Sequence, residues 1–239
     1  MAVIHHTDLR PTKLELLTSW LPSRPWYGGG QDDQGEPELA KSGGFRLDDP
    51  RGEVGIEFIV VTDASGPHPT TYLVPLTYRG APLDGLEHAL VGTMEHGVLG
   101  RRWAYDGCHD PVLVAQLLGL IEGRVQAQDQ NTSDTPDREI TCSYVGEGAA
   151  SALSAPASAF TTTATDDQDG TALALPHGAA LRLHRALQPA QNDPPVLPQG
   201  ATGRVSGSWR MPDGTSARGL FAVLHTGFGR DRGAAPTTH

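Results

Sequence analysis

Two runs, "GEVGIEFIVVTD" and "PTTYLVPLTYRG", separated by "ASGPHP", constrain this chain more than any other stretch. Val, Ile, Thr, Tyr and Phe dominate both, and such side chains fit a pleated, half-buried surface. A turn-rich insert between two runs of this kind predicts an antiparallel hairpin. The hairpin needs neighbours to be stable, and the flanking sequence supplies them. "HALVGTMEHGVLGRRWAYDG" reads as two further short strands around a Gly-rich turn.

Two helices are expected in the same half. In "PTKLELLTSWLPSRPWYGG", Leu14, Leu17 and Leu21 share one face, with Trp20 close to it. Thr12 and Glu15 have the spacing of a capping box, and Pro22 and Pro25 stop the helix. In "HDPVLVAQLLGLIEG", Asp110 caps, Pro111 takes the first helical position, and Val114, Leu117, Leu118 and Ile121 form an apolar face. "QDDQGEPEL" is expected to be a solvated loop.

The composition shifts at "RVQAQDQNTSDTPD", a polar stretch that reads as a domain boundary. Beyond it the pattern is all strand: "REITCSYVG", "ASAFTTTATDD", "TALALP", "AALRLHRAL", then "GRVSGSWRM" and "TSARGLFAVLH" joined by the hairpin signal "PDG". Pro176–Gly178 reads as a turn, and "QPAQNDPPVLPQG" as an extended Pro-rich loop. The expected division is 1–130, 131–228 and a disordered tail at 229–239. The class is α+β: a curved antiparallel sheet with helices, followed by a mostly antiparallel β domain.

Composition narrows the function. A net charge of −10 works against nonspecific attraction to nucleic acid or anionic lipid. No apolar run approaches the ~20 residues that cross a bilayer. The start, "MAVIHHTDLRPTK", lacks a signal-peptide pattern, so a cytoplasmic location is expected. Cys108 and Cys142 have no metal-type spacing and read as two buried thiols.

Several constellations resemble sites. "HTDLRPTK" at His6 to Lys13 mimics a kinase catalytic loop with Asp8 as base, but Lys13 stands where such a loop has its metal-binding Asn. Glu87-His88, Glu95-His96 and His109-Asp110 pair acids with imidazoles, yet nothing in their spacing brings three ligands to one point, and no metal site is assigned. Asp106 and Asp110 lie four apart across a glycine and a helix cap. Trp20, Trp26, Tyr27 and Trp103 offer either core plugs or a sugar-stacking platform, and core plugs are the expectation.

Taken in order, these segments resemble actinobacterial maltokinases. "LLTSWLPSRPWYGGG" is similar to the family's N-terminal cap motif, "IEFIVVTD…TTYLVPLTYR" to the cap's two long strands, and "YDGCHDPVLVAQLLGLI" to the segment and helix that close it. "ALRLHRALQP" sits where the family carries its phosphate-binding lysine strand, and "GSWRMPDGTSARGLFAVLH" where the last hairpin of a kinase N-lobe runs. The resemblance implies a cap followed by a degenerate kinase N-lobe-like domain. Arg182 stands at the lysine's place, and the Pro-rich loop replaces the helix whose Glu would pair with it. No catalytic loop of the type H-x-D-x-x-x-x-N and no downstream metal-binding Asp follows within the 239 residues.

The implied function is therefore a non-catalytic accessory or regulatory role in glycogen, maltose or trehalose metabolism, through a protein partner, an α-glucan or a sugar ligand, with no catalytic residue and no cofactor. The alternative is a nucleotide-binding half of a sugar kinase that completes its site with a partner. In that case Arg182, His184 and Arg185 are the candidate phosphate contacts. Along a strand Arg182 and His184 face one side and Arg185 the other.

Overall fold

A computed structural model describes residues 9–28, 35–145 and 163–226. The tail at 229–239 and the mimic residues His6 and Asp8 lie outside the described residues.

The first sheet is a curled half-barrel of six antiparallel strands. They are β1 (Leu9–Arg10), β2 (Leu39–Leu47), β3 (Gly55–Asp63), β4 (Thr70–Arg79), β5 (Leu90–His96) and β6 (Gly100–Asp106), in the order β1-β5-β6-β4-β3-β2. The hairpin expected from the opening runs is β3–β4, paired from Gly55–Tyr78 to Asp63–Thr70. Its strands are buried on both faces, which is why they read as apolar runs and not as an alternation.

One face carries Ile59, Val61, Tyr72, Val74 and Leu76, packed under helix α1 (Lys13–Trp20) and the Trp26–Tyr27 turn. Here the expected capping box is complete: Thr12 Oγ1 accepts the Glu15 N–H and Glu15 accepts the Thr12 N–H. The opposite face carries Ile56, Phe58, Val60 and Leu73 against helix α2 (Pro111–Ile121). Asp110 caps α2 by accepting the Val112 N–H, with Pro111 at the first position.

Strand β2 was not anticipated from the sequence. "LAKSGGFRL" pairs with β3 through a bulge between Lys41 and Gly43. Gly44 sits at φ +133, where an added Cβ would lie 2.3 Å from the Phe58 carbonyl oxygen, so only glycine carries the strand through this bend.

The second sheet has β7 (Thr141–Tyr144), β8 (Thr163–Asp167), β9 (Gly170–Ala174), β10 (Ala180–His184), β11 (Gly203–Arg210) and β12 (Ser216–His225), all antiparallel, in the order β7-β11-β12-β10-β9-β8. The turn at Pro176–Gly178 joins β9 to β10, and Pro212–Gly214 lies in the β11–β12 turn, as the sequence implies.

The sheets share a core. Phe45 and Phe58 of the first stack at 4.4 Å, and Phe45 reaches Phe221 of the second at 6.2 Å. The polar stretch expected to be a boundary is tied down as well: Arg46 and Gln128 exchange two backbone hydrogen bonds at 2.9 Å, and Ala127 is buried.

A second tie is made by the backbone after β10. Having left the second sheet at His184, the chain adds Arg185–Leu187 to the edge of β4: the Leu73 N–H donates to the Arg185 oxygen and the Leu187 N–H to that of Thr71. Strand β6 covers the same edge only from Leu76 onward. Pro75 falls between the two, with its missing N–H on the side where neither neighbour needs it.

Candidate functional site

The stretch "LRLHR" delivers its three candidate residues to different environments. Arg182 and His184 lie on the outer face of β10, away from the core that holds Leu181 and Leu183. Arg182 forms two hydrogen bonds with Asp167, at 2.6 and 2.5 Å, at the neighbouring β8–β9 turn. These bonds hold the Asp167 carboxyl well below its ordinary range. His184 is half-buried, its Nε2 is enclosed without a hydrogen-bond partner, and desolvation lowers its pKa.

Arg185 turns the other way and is fully enclosed. Its Nη2 donates to both oxygens of Asp106 at 2.7 and 2.6 Å, and its Nε donates to Thr171 Oγ1 at 2.8 Å. Cys108 Sγ lies 3.2 Å from the same Nη2, and the Trp26 ring sits 4.9 Å from the guanidinium carbon. Burial alone would lower this guanidinium's pKa, but the Asp106 charge outweighs it and raises it. Asp106 also accepts the Cys108 N–H, so one carboxylate fixes a tight turn and receives the second sheet's arginine. Burial pushes the Cys108 thiol far up, which keeps it protonated beside that carboxylate.

Asp106 and Asp110 do not form a carboxylate pair for acid–base work, since each has its own arginine. Asp110 is fully buried and takes Nε and Nη2 of Arg79 at 2.8 Å each. Capping alone therefore does not account for Asp110.

Three of the four aromatic residues expected to plug the core do so, whereas Trp103, on β6, is only half-buried and joins neither core cluster. Trp20, Trp26 and Tyr27 are all buried, with Trp26 between Trp20 at 5.8 Å and Tyr72 at 6.0 Å. Tyr27 donates to Asp63 at 2.5 Å, a further constraint on the turn after α1. Of the two thiols, Cys108 is buried as expected but Cys142 is exposed. The expectation of two buried thiols fails because Cys142 lies on β7, an edge strand with a single partner.

The acid–imidazole neighbours do not join. His88 Nε2 and His109 Nδ1 approach to 3.2 Å with rings at 83°, whereas Glu95 pairs with Arg101 at 2.7 Å. Among the described residues no three His, Cys, Asp or Glu side chains are placed to hold a metal ion. No helix among them is long and apolar enough to cross a membrane. A cavity of about 470 Å³ lies between the end of α2, the 123–140 stretch and β7.

Sequence reasoning missed the Asp106–Arg185 partnership. Its one available sign was that Arg185 must face away from Arg182.

Residues 20–110 match the family model of the maltokinase N-terminal cap domain. No curated protein matches the chain. The matched stretch opens at Trp20, takes in β2 to β6 and closes at Asp106 and Asp110, the two carboxylates that receive Arg185 and Arg79. Residues 20–110 of this chain thus form a maltokinase N-terminal cap-like region.

Proposed function

We propose that the chain is a non-catalytic accessory or regulatory protein of glycogen, maltose or trehalose metabolism, working in the cytoplasm through contact with a protein or an α-glucan. The metabolic context rests on the cap match. The non-catalytic reading rests on one observation: the arginine at the lysine's place is already held by Asp167 through both terminal nitrogens. A triphosphate would have to displace that carboxylate, and Arg185 is sealed against Asp106 and contributes nothing to an outer-face site. The division into a cap at 1–130 and a kinase N-lobe-like domain at 131–228 belongs to the same proposal, with the two parts joined through one core.

The second reading, a nucleotide-binding half of a sugar kinase, is favoured by His184, whose enclosed Nε2 has no partner on the face it shares with Arg182. Calorimetry with ATP, with and without magnesium, separates the two. The accessory reading expects a dissociation constant of about 1 mM or weaker, near −4 kcal/mol, and no phosphorylation of maltose or glucosamine. A low-micromolar constant that collapses in Arg182→Ala, or turnover lost in that variant, replaces it with the second reading.

A further inference from the structure

The meeting of His88 with His109 has no part in the site on β10, yet both rings are held in place. His109 ends the single turn Gly107–His109, between Asp106 and Asp110, two carboxylates each fixed by an arginine. His88 lies in the single turn Glu87–Ala89, where Ala89 is buried and the Leu83 N–H, four residues before, donates to the Tyr105 hydroxyl at 2.8 Å. Both imidazoles thus stand on backbone tied to the end of β6.

Nε2 of His88 and Nδ1 of His109 are 3.2 Å apart, with ring centres at 4.8 Å and planes at 83°. An in-line N–H···N hydrogen bond of that length would set the ring centres about 5.5 Å apart. The nitrogens meet obliquely instead, which suits two ligands of one ion. A metal that binds imidazole nitrogens at about 2.0–2.1 Å and about 90–110° sets them about 2.9–3.4 Å apart, with ring centres about 4.5–5.2 Å apart. Both distances in this pair fall inside those ranges.

Burial lowers the His109 pKa, with the charges of Asp106 and Asp166 opposing and that of His88 adding. The ring is therefore neutral at neutral pH, as a metal ligand must be. Glu87 lies within electrostatic reach of His88, as Asp106 and Asp166 do of His109, so carboxylates flank the pair from both sides. Imidazole nitrogen suits zinc and nickel, whereas magnesium and calcium require oxygen donors.

We propose that His88 Nε2 and His109 Nδ1 form a two-imidazole site for a divalent transition-metal ion, zinc or nickel, with water at the remaining positions. Each ring carries its proton on the other nitrogen, His88 Nδ1 and His109 Nε2, so two neutral rings bind the ion without releasing a proton. Among the described residues no third His, Cys, Asp or Glu completes the set. The site is therefore open and exchangeable, unlike the closed four-ligand sites that hold a structural zinc. The inference is independent of the accessory reading.

The test uses the full-length chain carrying His5→Ala and His6→Ala, because two adjacent histidines compete for the same ions. Calorimetry with nickel chloride and with zinc chloride should give one ion per chain and a dissociation constant of about 10–300 μM. Magnesium chloride should give no binding. His88→Ala, at an exposed position, and His109→Ala should each weaken binding at least as much as loss of an outer-shell partner does, about tenfold or more. His68→Ala and Cys142→Ser, at exposed positions elsewhere, should leave it unchanged. Should His109→Ala fail to fold, ring-nitrogen magnetic resonance of the parent chain still gives an answer: zinc should shift His88 Nε2 and His109 Nδ1 and leave His68 in place.

The proposal is overturned if neither ion binds below about 3 mM, or if binding survives His88→Ala. It is overturned equally if zinc shifts other ring nitrogens and not these two, which would leave the pair as a bent hydrogen bond between neutral imidazoles.

Discussion

The two sheets have six strands each, but they are covered differently. The first lies between α1 with its aromatic turn on one face and α2 with the second sheet on the other, so β3 and β4 are buried almost throughout. The second has one face on the shared core, while its outer face passes from the exposed Thr163, Thr165 and Asp167 of β8 to the buried Ser206 and Val223. Ionised groups take their role from this difference. Glu57, Asp106 and Asp110 of the first half are enclosed and each meets a cation, whereas Arg182 and Asp167 meet at the surface. An ion pair three residues from another in sequence can therefore be architecture or decoration.

Arg185→Ala should have the largest effect. It leaves the Asp106 carboxylate buried without a cation, a loss of about 3–5 kcal/mol. Thermal denaturation should show a fall of many degrees, and Asp106→Asn in the same chain should recover part of it. If Arg185→Ala melts like the wild type, the enclosed pair does not join the sheets.

Phe45→Ala should rank close behind, at about 3–5 kcal/mol, because its ring stacks on Phe58 and reaches Phe221 at once. Urea titration followed separately by tryptophan fluorescence and circular dichroism sharpens the comparison. Coincident transitions mean that both sheets unfold together, and separated ones mean that the shared core does not couple them.

Glu57 supplies a pH signature of the doubly covered sheet. Burial would raise its pKa, but Lys13 at 2.5 Å, Lys41 and the Tyr78 hydroxyl outweigh this and the net shift is downward. A lowered folded-state pKa gives stability that is present above the unfolded value of about 4.3 and is lost as pH falls through the folded one. Glu57→Gln should therefore flatten the acid side of a stability–pH curve while lowering its plateau. A curve of unchanged shape would show that another carboxylate governs acid unfolding.

Arg182→Ala should have the smallest effect, about 0–1 kcal/mol, since its partner Asp167 is 53% exposed and water screens the pair. A loss as large as that of Arg185→Ala would erase the contrast between the two faces.

How much of this was legible in the sequence follows the range of the interaction. The β3–β4 hairpin and both helix caps rest on neighbours within a few residues, and all were readable. Strand β2 was not, because Gly43-Gly44 and the flanking Lys41 and Arg46 look like loop. Its strand character comes from β3 and from Trp209, whose Cα would lie 3.5 Å from a Cβ at Gly43. The polar stretch after α2 reads as a linker, and its anchorage depends on a backbone exchange with distant Arg46. At the candidate site, the strand and its facing were legible in "LRLHR", but Asp167 as partner of Arg182 and Asp106 as partner of Arg185 were not. The latter pair is separated by 79 residues, and no local pattern announces it.

The loan of Arg185–Leu187 to β4 has a consequence for biosynthesis. A chain emerging from the ribosome completes the cap's own strands long before it makes the residues that cover the β4 edge. At about 5–20 residues per second, the interval between Tyr72 and Ala186 is roughly 6–23 s. During that time the nascent cap exposes the main-chain groups of Thr71 and Leu73, together with a cavity where the Arg185 side chain will later sit. The β4 edge is therefore completed only once the late half has been translated.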